Sequence, residues 1–212
     1  MSYYAEKQYI DELPQNAIKD LKILFFSSFF KDCKRILDVG CSVGRVISLD
    51  PKRIEGVDID KVALKIASSK GYSVKFADVS RKLPFKDSSF DGVFCSHVIE
   101  HLFDPKKALL EMKRVLKNKG KIVIITPDYI MTSRKYKNGF WSDYTHKRPF
   151  IPESLEKLAF DCGFRKYRVY HFPSFGFRHL MRFGLLSKDQ WIKLEKIPFI
   201  WKGQDLILEA VK

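Results

Sequence analysis

The chain has 212 residues, 45% of them hydrophobic, and carries 39 Lys and Arg against 25 Asp and Glu, a formal net charge of +14. That length and apolar content suffice for one substantial core and predict a single domain over residues 1–212. The charge favours polyanionic partners, whether nucleic acid, anionic lipid head groups or phosphorylated small molecules, although a Lys-rich solvated surface would produce the same excess. The early apolar run from Ile23 to Phe30 is broken by Ser27 and Ser28 and falls far short of the roughly 20 residues of a membrane span. The opening Met-Ser-Tyr-Tyr-Ala-Glu-Lys lacks the basic-then-apolar order of a secretory leader. Cys33, Cys41, Cys95 and Cys162 are too widely spaced for a zinc ribbon or a redox dithiol. A cytoplasmic location with reduced thiols is the resulting expectation.

In chain order, an N-terminal helical segment is expected over 1–34, followed by apolar runs at 35–39 and 53–59 that read as strands. Helical spacing over 61–69 leads to runs at 73–77 and 92–96. A second helix over 105–117 places Ala108, Leu109, Met112, Val115 and Leu116 on one face. A run at 121–126 follows, then a helix over 151–162 entered through Pro152 and closed by Gly163, and final runs at 165–172 and 205–211. Strands alternating with helices predict an α/β fold on a parallel sheet.

In such a sheet, ligands bind beyond the carboxyl ends of the strands. Four segments there hold small or polar residues: Gly40-Cys41-Ser42-Val43-Gly44, Gly56-Val57-Asp58-Ile59-Asp60, Phe76-Ala77-Asp78-Val79, and Cys95-Ser96-His97-Val98-Ile99-Glu100-His101. A dinucleotide fingerprint would need glycine where Ser42 and Arg45 stand, and no Gly-Lys-Ser or Gly-Lys-Thr phosphate loop occurs. The carboxylates ask instead for a ligand rich in donors. Asp58 can accept from a ribose diol, Asp78 from an exocyclic adenine amine, and Asp38 with the backbone at Gly40 can hold an ammonium group. S-Adenosylmethionine has all three features. The alternative is that Asp58, Asp60 and Asp78 only cap the helices or turns that follow them.

These segments, together with Ile36-Leu37-Asp38-Val39, Leu83-Pro84-Phe85-Lys86-Asp87-Ser88-Ser89-Phe90-Asp91-Gly92-Val93 and His97-Val98-Ile99-Glu100-His101-Leu102, resemble the ordered motifs of class I S-adenosylmethionine-dependent methyltransferases. The resemblance covers about 35–127 and the final strand. It implies a Rossmann-like, doubly wound, seven-stranded sheet, mostly parallel with an antiparallel last strand, in three α/β/α layers. It also implies S-adenosylmethionine as methyl donor and S-adenosylhomocysteine as product. Asp58 is then expected on the ribose, Asp78 with the Val79 amide on adenine, and the Gly40–Gly44 turn on the methionine portion. Asp38, Cys41, Ser42, Ile59 and Ser96 complete the expected cofactor shell. Ser42 departs from the glycine usual in the family, and Asp50-Pro51 shortens the helix after the turn.

His97-Val98-Ile99-Glu100-His101 also matches a zinc-peptidase pattern, which needs both histidines on one helix and a carboxylate ligand further on. The segment follows a strand directly, and no carboxylate occurs between Asp161 and Asp189, so no metal is expected. In the methyltransferase resemblance this Glu-His pair lies near the cofactor, which makes His101 a catalytic candidate and leaves Glu100 either catalytic or a holder of backbone amides.

The acceptor is expected between a loop over 127–150 and a cap over 173–204. The stretch Phe140 to Phe150 resembles an Asp-x-Thr-His-x-Arg-Pro-Phe segment of methyltransferases acting on polysaccharides or other cell-surface metabolites. His146 is the expected general base, since imidazole changes charge near neutrality, with Asp143 to orient it; the alternative is that it only braces the loop. Basic residues of the last quarter, among them Arg168, Arg178, Arg182 and Lys188, alternate with Phe172, Phe175, Phe177, Phe183, Trp191, Phe199 and Trp201. That mixture suits an anionic sugar, a lipid-linked carrier at a membrane surface, or RNA, unless the aromatics merely seal the cap. The expected function is methyl transfer to oxygen or nitrogen of a small or carrier-linked acceptor. An RNA methyltransferase and a noncatalytic cofactor-binding subunit are the alternatives.

Overall fold

A computed structural model describes residues 26, 28–133, 139–173, 187–194 and 202–212. Most of the expected N-terminal helical segment lies outside these residues, as do Phe175, Phe177, Phe183, Phe199 and Trp201 of the expected cap. Seven strands form, as the apolar runs predict: β1 Ile36–Val39, β2 Ile54–Asp58, β3 Val74–Phe76, β4 Phe90–Ser96, β5 Leu116–Pro127, β6 Lys166–Pro173 and β7 Lys202–Val211. Their order in one sheet is β3-β2-β1-β4-β5-β7-β6. β1 pairs in parallel with β2 and β4, β2 pairs in parallel with β3, and β6 and β7 are antiparallel. The helices are α1 Lys61–Ser69, α2 Pro105–Val115, α3 Tyr129–Ser133, α4 Pro152–Asp161 and α5 Lys188–Leu194.

The chain clusters into two compact units, one of residues 1–95, 107–122 and 212, the other of 96–106 and 123–211. In the first, all four residues of β1 are buried, as are Ile54, Val57, Phe90, Val93, Phe94 and Cys95. Burial on both faces explains why these strands read as unbroken apolar runs rather than as alternation. α1 begins where the Asp60 carboxylate accepts from the Val62 and Ala63 amides, and it buries Ala63, Leu64 and Ala67. α2 buries Ala108, Leu109, Met112 and Val115. It stops at Val115, short of the predicted 117, where Lys212 Nζ donates to the carbonyls of Lys113 and Leu116 at 2.8 and 2.6 Å.

The second unit is organised on the β6–β7 ladder. Tyr170, Phe172, Leu206, Ile207, Leu208 and Ala210 are buried there, with Leu155 and Ala159 of α4. Trp191 of α5 is fully buried, and its indole N–H donates to the His171 carbonyl at 2.7 Å. That satisfies the only polar atom the ring brings inside. α4 is entered as predicted at Pro152, with the Ser154 hydroxyl accepting from the Ile151 amide, and closes at Gly163 with φ +76°. All four cysteines are buried and none forms a disulfide. No helix among the described residues is long and apolar enough to cross a membrane.

Candidate active site

Val39 is in register with Val57 and with Cys95, and Asp58 with Phe76, so the turns after β1, β2, β3 and β4 leave from one edge. The Gly40–Gly44 turn is strapped to the end of β2. The amides of Gly40 and Cys41 donate to the Val57 carbonyl at 2.8 and 3.1 Å, and the Ser42 amide donates to Asp58 Oδ2 at 2.8 Å. Ser42 holds φ +46°, a left-handed conformation that costs a side-chain-bearing residue about 1–2 kcal/mol. The Asp58 hydrogen bond on its amide helps to keep it there, so serine adopts the conformation the usual glycine would take freely. At Gly44, with φ +83°, an added Cβ would lie 2.5 Å from Tyr72 Cδ2, so this position admits no side chain without movement.

Asp38 is 3% exposed, and burial together with the neighbouring Asp58 carboxylate pushes its pKa up to about 8. Burial, then Asp38 and Asp58, raise the Cys41 thiol as well, which keeps it protonated and without nucleophilic character. Asp58 uses both oxygens on backbone: Oδ2 accepts from Ser42 and Oδ1 from the Asp60 amide at 2.8 Å. Asp78 Oδ1 accepts from the Ser80 hydroxyl and amide at 2.6 and 2.9 Å. The Ser80 hydroxyl is the main reason its carboxyl sits below the usual range, against the effect of partial burial. Capping therefore accounts for Asp60, for one oxygen of Asp78 and for one backbone amide on each oxygen of Asp58. Ile59 is 64% exposed beside Asp58, Val79 is buried, and Ser96 is the last residue of β4. A buried carboxyl that favours its protonated form, a closely approachable turn and outward carboxylates fit a ligand carrying an ammonium group and a ribose diol.

The second unit holds the other candidates. After β4, His97 turns the chain with φ +55°, and Ile99–His101 form a single 3-10 turn rather than an α-helix. The helical His97–His101 pairing of the peptidase pattern is thus not formed. The Glu100 carbonyl accepts from the Lys147 and Arg148 amides at 2.8 and 3.0 Å and so anchors the loop that carries His146. Its carboxylate is fully buried: Oε2 accepts from the Thr126 hydroxyl at 3.1 Å, while Oε1 accepts no hydrogen bond and lies 3.3 Å from His97 Nδ1.

The rings of His101 and His146 stand 4.7 Å apart between centroids. His146 Nδ1 is 2.6 Å from the Phe140 carbonyl, which can only accept, so Nδ1 carries a proton and the neutral ring has its lone pair on Nε2. The Thr145 hydroxyl donates to Asp143 Oδ1 at 2.6 Å and therefore accepts from His101 Nδ1 at 2.9 Å, fixing the same tautomer in the second ring. Burial acts to raise the Asp143 carboxyl, but the Thr145 hydroxyl and amide and the two imidazoles outweigh it and hold it below the usual range. Asp143 Oδ2 lies 4.0 Å from His146 Nε2. The orienting contact on His146 comes from the Phe140 carbonyl, and Asp143 acts on His101 through Thr145. Thr145 is the participant that sequence reasoning missed. Thr145 stood within a quoted motif, but nothing in the sequence linked it to a histidine 44 positions away.

The profile of the methyltransferase domain family matches residues 37–124. An uncharacterized protein of Methanocaldococcus jannaschii is 34% identical over 196 residues, covering 84% of this chain and 78% of its own length. A solved SAM-dependent methyltransferase from Archaeoglobus fulgidus superposes with TM-score 0.70 at 26% identity, covering 93% of this chain and 95% of that one. The phosphoethanolamine N-methyltransferase 2 of Haemonchus contortus, solved with S-adenosyl-L-methionine, superposes with TM-score 0.68 over 92% of this chain and 52% of its own, a likeness of fold alone at 20% identity. With its Rossmann-like sheet, this chain is an enzyme of the class I S-adenosylmethionine-dependent methyltransferase family and uses S-adenosylmethionine as its cofactor.

Proposed function

We propose that the enzyme methylates an oxygen or nitrogen of a small or carrier-linked acceptor, anionic in character, with Asp38, the Gly40–Gly44 turn and Asp58 holding the donor and His146 taking the acceptor's proton. The observation that carries the donor side is Asp38, a buried carboxyl raised to about 8 that a ligand's ammonium group would stabilise in its ionised form. Cys41, Ser42 and Gly44 belong to the same turn, and each oxygen of Asp58 has accepting capacity left for a ribose diol. Asp78 and Val79 are assigned to the adenine by the family's motif order, and Ile59 and Ser96 complete the cofactor shell. Bound there, S-adenosylmethionine supplies an electrophilic methyl carbon on a sulfonium.

On the acceptor side the support is the pair of fixed tautomers. Nε2 of His146 is a base whose other nitrogen is already tied to a carbonyl, so the ring need not reorient before accepting a proton. His101, braced through Thr145 and Asp143, presents the same atom. The +14 charge supports an anionic acceptor. The phosphoethanolamine N-methyltransferase acts on such a molecule, as its name states, although it speaks for fold alone.

Incubation with methyl-labelled cofactor and fractionated cell extract tests the reading by the chemical class that acquires label. Asp58→Ala is expected to abolish labelling with the circular dichroism spectrum unchanged. Normal labelling by that variant would remove Asp58 from the donor site, and label confined to RNA would replace the small acceptor.

A further inference from the structure

Three donor groups of the second unit converge. One oxygen of Glu100 and one ring nitrogen each of His101 and His146 lie within 4.8 Å of one another. Both imidazoles are pinned through Nδ1–H, one to the Phe140 carbonyl and one through Thr145 to Asp143, so in the neutral rings the lone pair is on Nε2, which in His146 lies 4.0 Å from Asp143 Oδ2. That is how histidine ligands of metals are held: the second nitrogen donates to a carbonyl or a carboxylate chain, fixing the tautomer and raising the basicity of the first. The third group gives an independent sign. Glu100 is fully buried, and its Oε1 accepts no hydrogen bond and lies 3.3 Å from His97 Nδ1, an arrangement that is costly for a carboxylate unless a cation, a protonated His97 or a metal ion, completes it.

We propose that Glu100, His101 and His146 bind a divalent first-row transition ion of the Zn²⁺ type, with positions left open for an acceptor oxygen or nitrogen. Two imidazoles and one carboxylate make a three-ligand set of the kind found in catalytic rather than structural sites. Bonds of about 2.1 Å place such ligands about 3–3.5 Å apart, so binding draws the three side chains inward. Glu100 and His101 are adjacent on a 3-10 turn and the third ligand comes from a loop 45 positions on, which is why the helical His-x-x-Glu-His pattern was the wrong template. The site stands on the geometry of one unit and does not depend on the methyl-transfer reading. With an ion bound, the lone pair of His146 is occupied, and the ion polarises the acceptor in place of the imidazole.

The test uses untagged full-length protein stripped with chelator, titrated with Co²⁺ by visible absorption and with Zn²⁺ by calorimetry, with no methyl donor present. One ion per chain is expected. Glu100→Gln and His146→Gln should each weaken binding at least about tenfold, and Thr145→Val, which frees the His101 ring, about 10- to 100-fold, whereas His97→Asn should change it by less than about threefold. Circular dichroism establishes that each variant is folded. Wild-type protein that takes up no stoichiometric ion overturns the proposal, as does a folded His146→Gln variant that binds as tightly as wild type. A loss in His97→Asn equal to that in Glu100→Gln would make Glu100 the partner of His97 and overturn the assignment of ligands. None of these outcomes depends on donor binding, so failure here is distinguishable from failure of the labelling experiment.

Discussion

Asp38 sits where two requirements oppose each other. The buried site favours its neutral form, and the ligand assigned to it favours the charged one. Its raised value of about 8 means that the folded protein without ligand holds this proton where an unfolded chain would have lost it. The contribution to stability is therefore complete below the ordinary carboxylate range and lost as pH rises through about 8. An ammonium group beside Asp38 reverses the preference, so binding of the donor at neutral pH expels about one proton. Calorimetry in buffers of differing ionisation enthalpy should show an observed heat that follows the buffer, and Asp38→Asn should remove that dependence. A wild-type heat indifferent to the buffer would mean that Asp38 is already ionised or stands away from the ammonium. Asp38 was legible as a candidate because it interrupts an apolar run two residues before Gly40, but its protonation was not, since that depends on burial and on Asp58, which lies 20 positions further along.

Legibility at the level of elements followed burial. β1, β2, β4, α1, α2 and α4 could be read from the sequence because a parallel sheet buries both strand faces and an amphipathic helix repeats its apolar residues every three to four positions, whereas β3, with Phe76 exposed, and the antiparallel pair β6–β7 were read from short apolar runs alone. What could not be read were contacts between elements distant in sequence, such as Thr145 on His101, or Asp128 Oδ2 paired with His171 Nε2 at 2.6 Å inside the second unit. Gly56 is another case. Nothing in the run Ile54-Glu55-Gly56-Val57-Asp58 marks its glycine, yet a Cβ there would lie 2.6 Å from Cys41 Sγ, 2.7 Å from Cys41 Cβ and 2.7 Å from Ile47 Cδ1. β2 thus admits the turn after β1 only because it carries no side chain at its centre. Gly56→Ala should destabilise the protein by about 1–3 kcal/mol, the range for overpacking a close-packed interior. The strain falls on Cys41, so donor affinity should fall as well, while Asp60→Ala, which only uncaps α1, should lower stability by about 1 kcal/mol with less effect on affinity. Urea denaturation and donor titration on both variants separate the two effects, and equal losses of affinity would show that Gly56 does not control the turn.

For the whole molecule, the 39 cations against 25 anions are the property that no single site explains. Some of the charge is used locally. Glu55 pairs with Arg35 and Lys75, Arg114 with Glu111, and Glu209 with Lys188, but the excess of 14 remains after every acid is matched. Such an excess acts at a distance, raising the encounter rate with anions and ceasing to do so once salt shortens the Debye length to a few ångströms. If the acceptor is anionic, kcat/KM for it should fall about three- to tenfold between about 0.05 M and about 0.5 M salt, mostly through KM. Donor affinity should stay nearly flat over the same range, because the donor's two positive groups and one negative group leave no net negative charge for the surface to attract. The slope also discriminates among acceptors. A nucleic acid held through several phosphates would lose affinity as a steep power of salt concentration, far beyond a tenfold change. A labelled acceptor whose kcat/KM does not vary with salt would be uncharged, and the basic surface would then serve a partner other than the substrate.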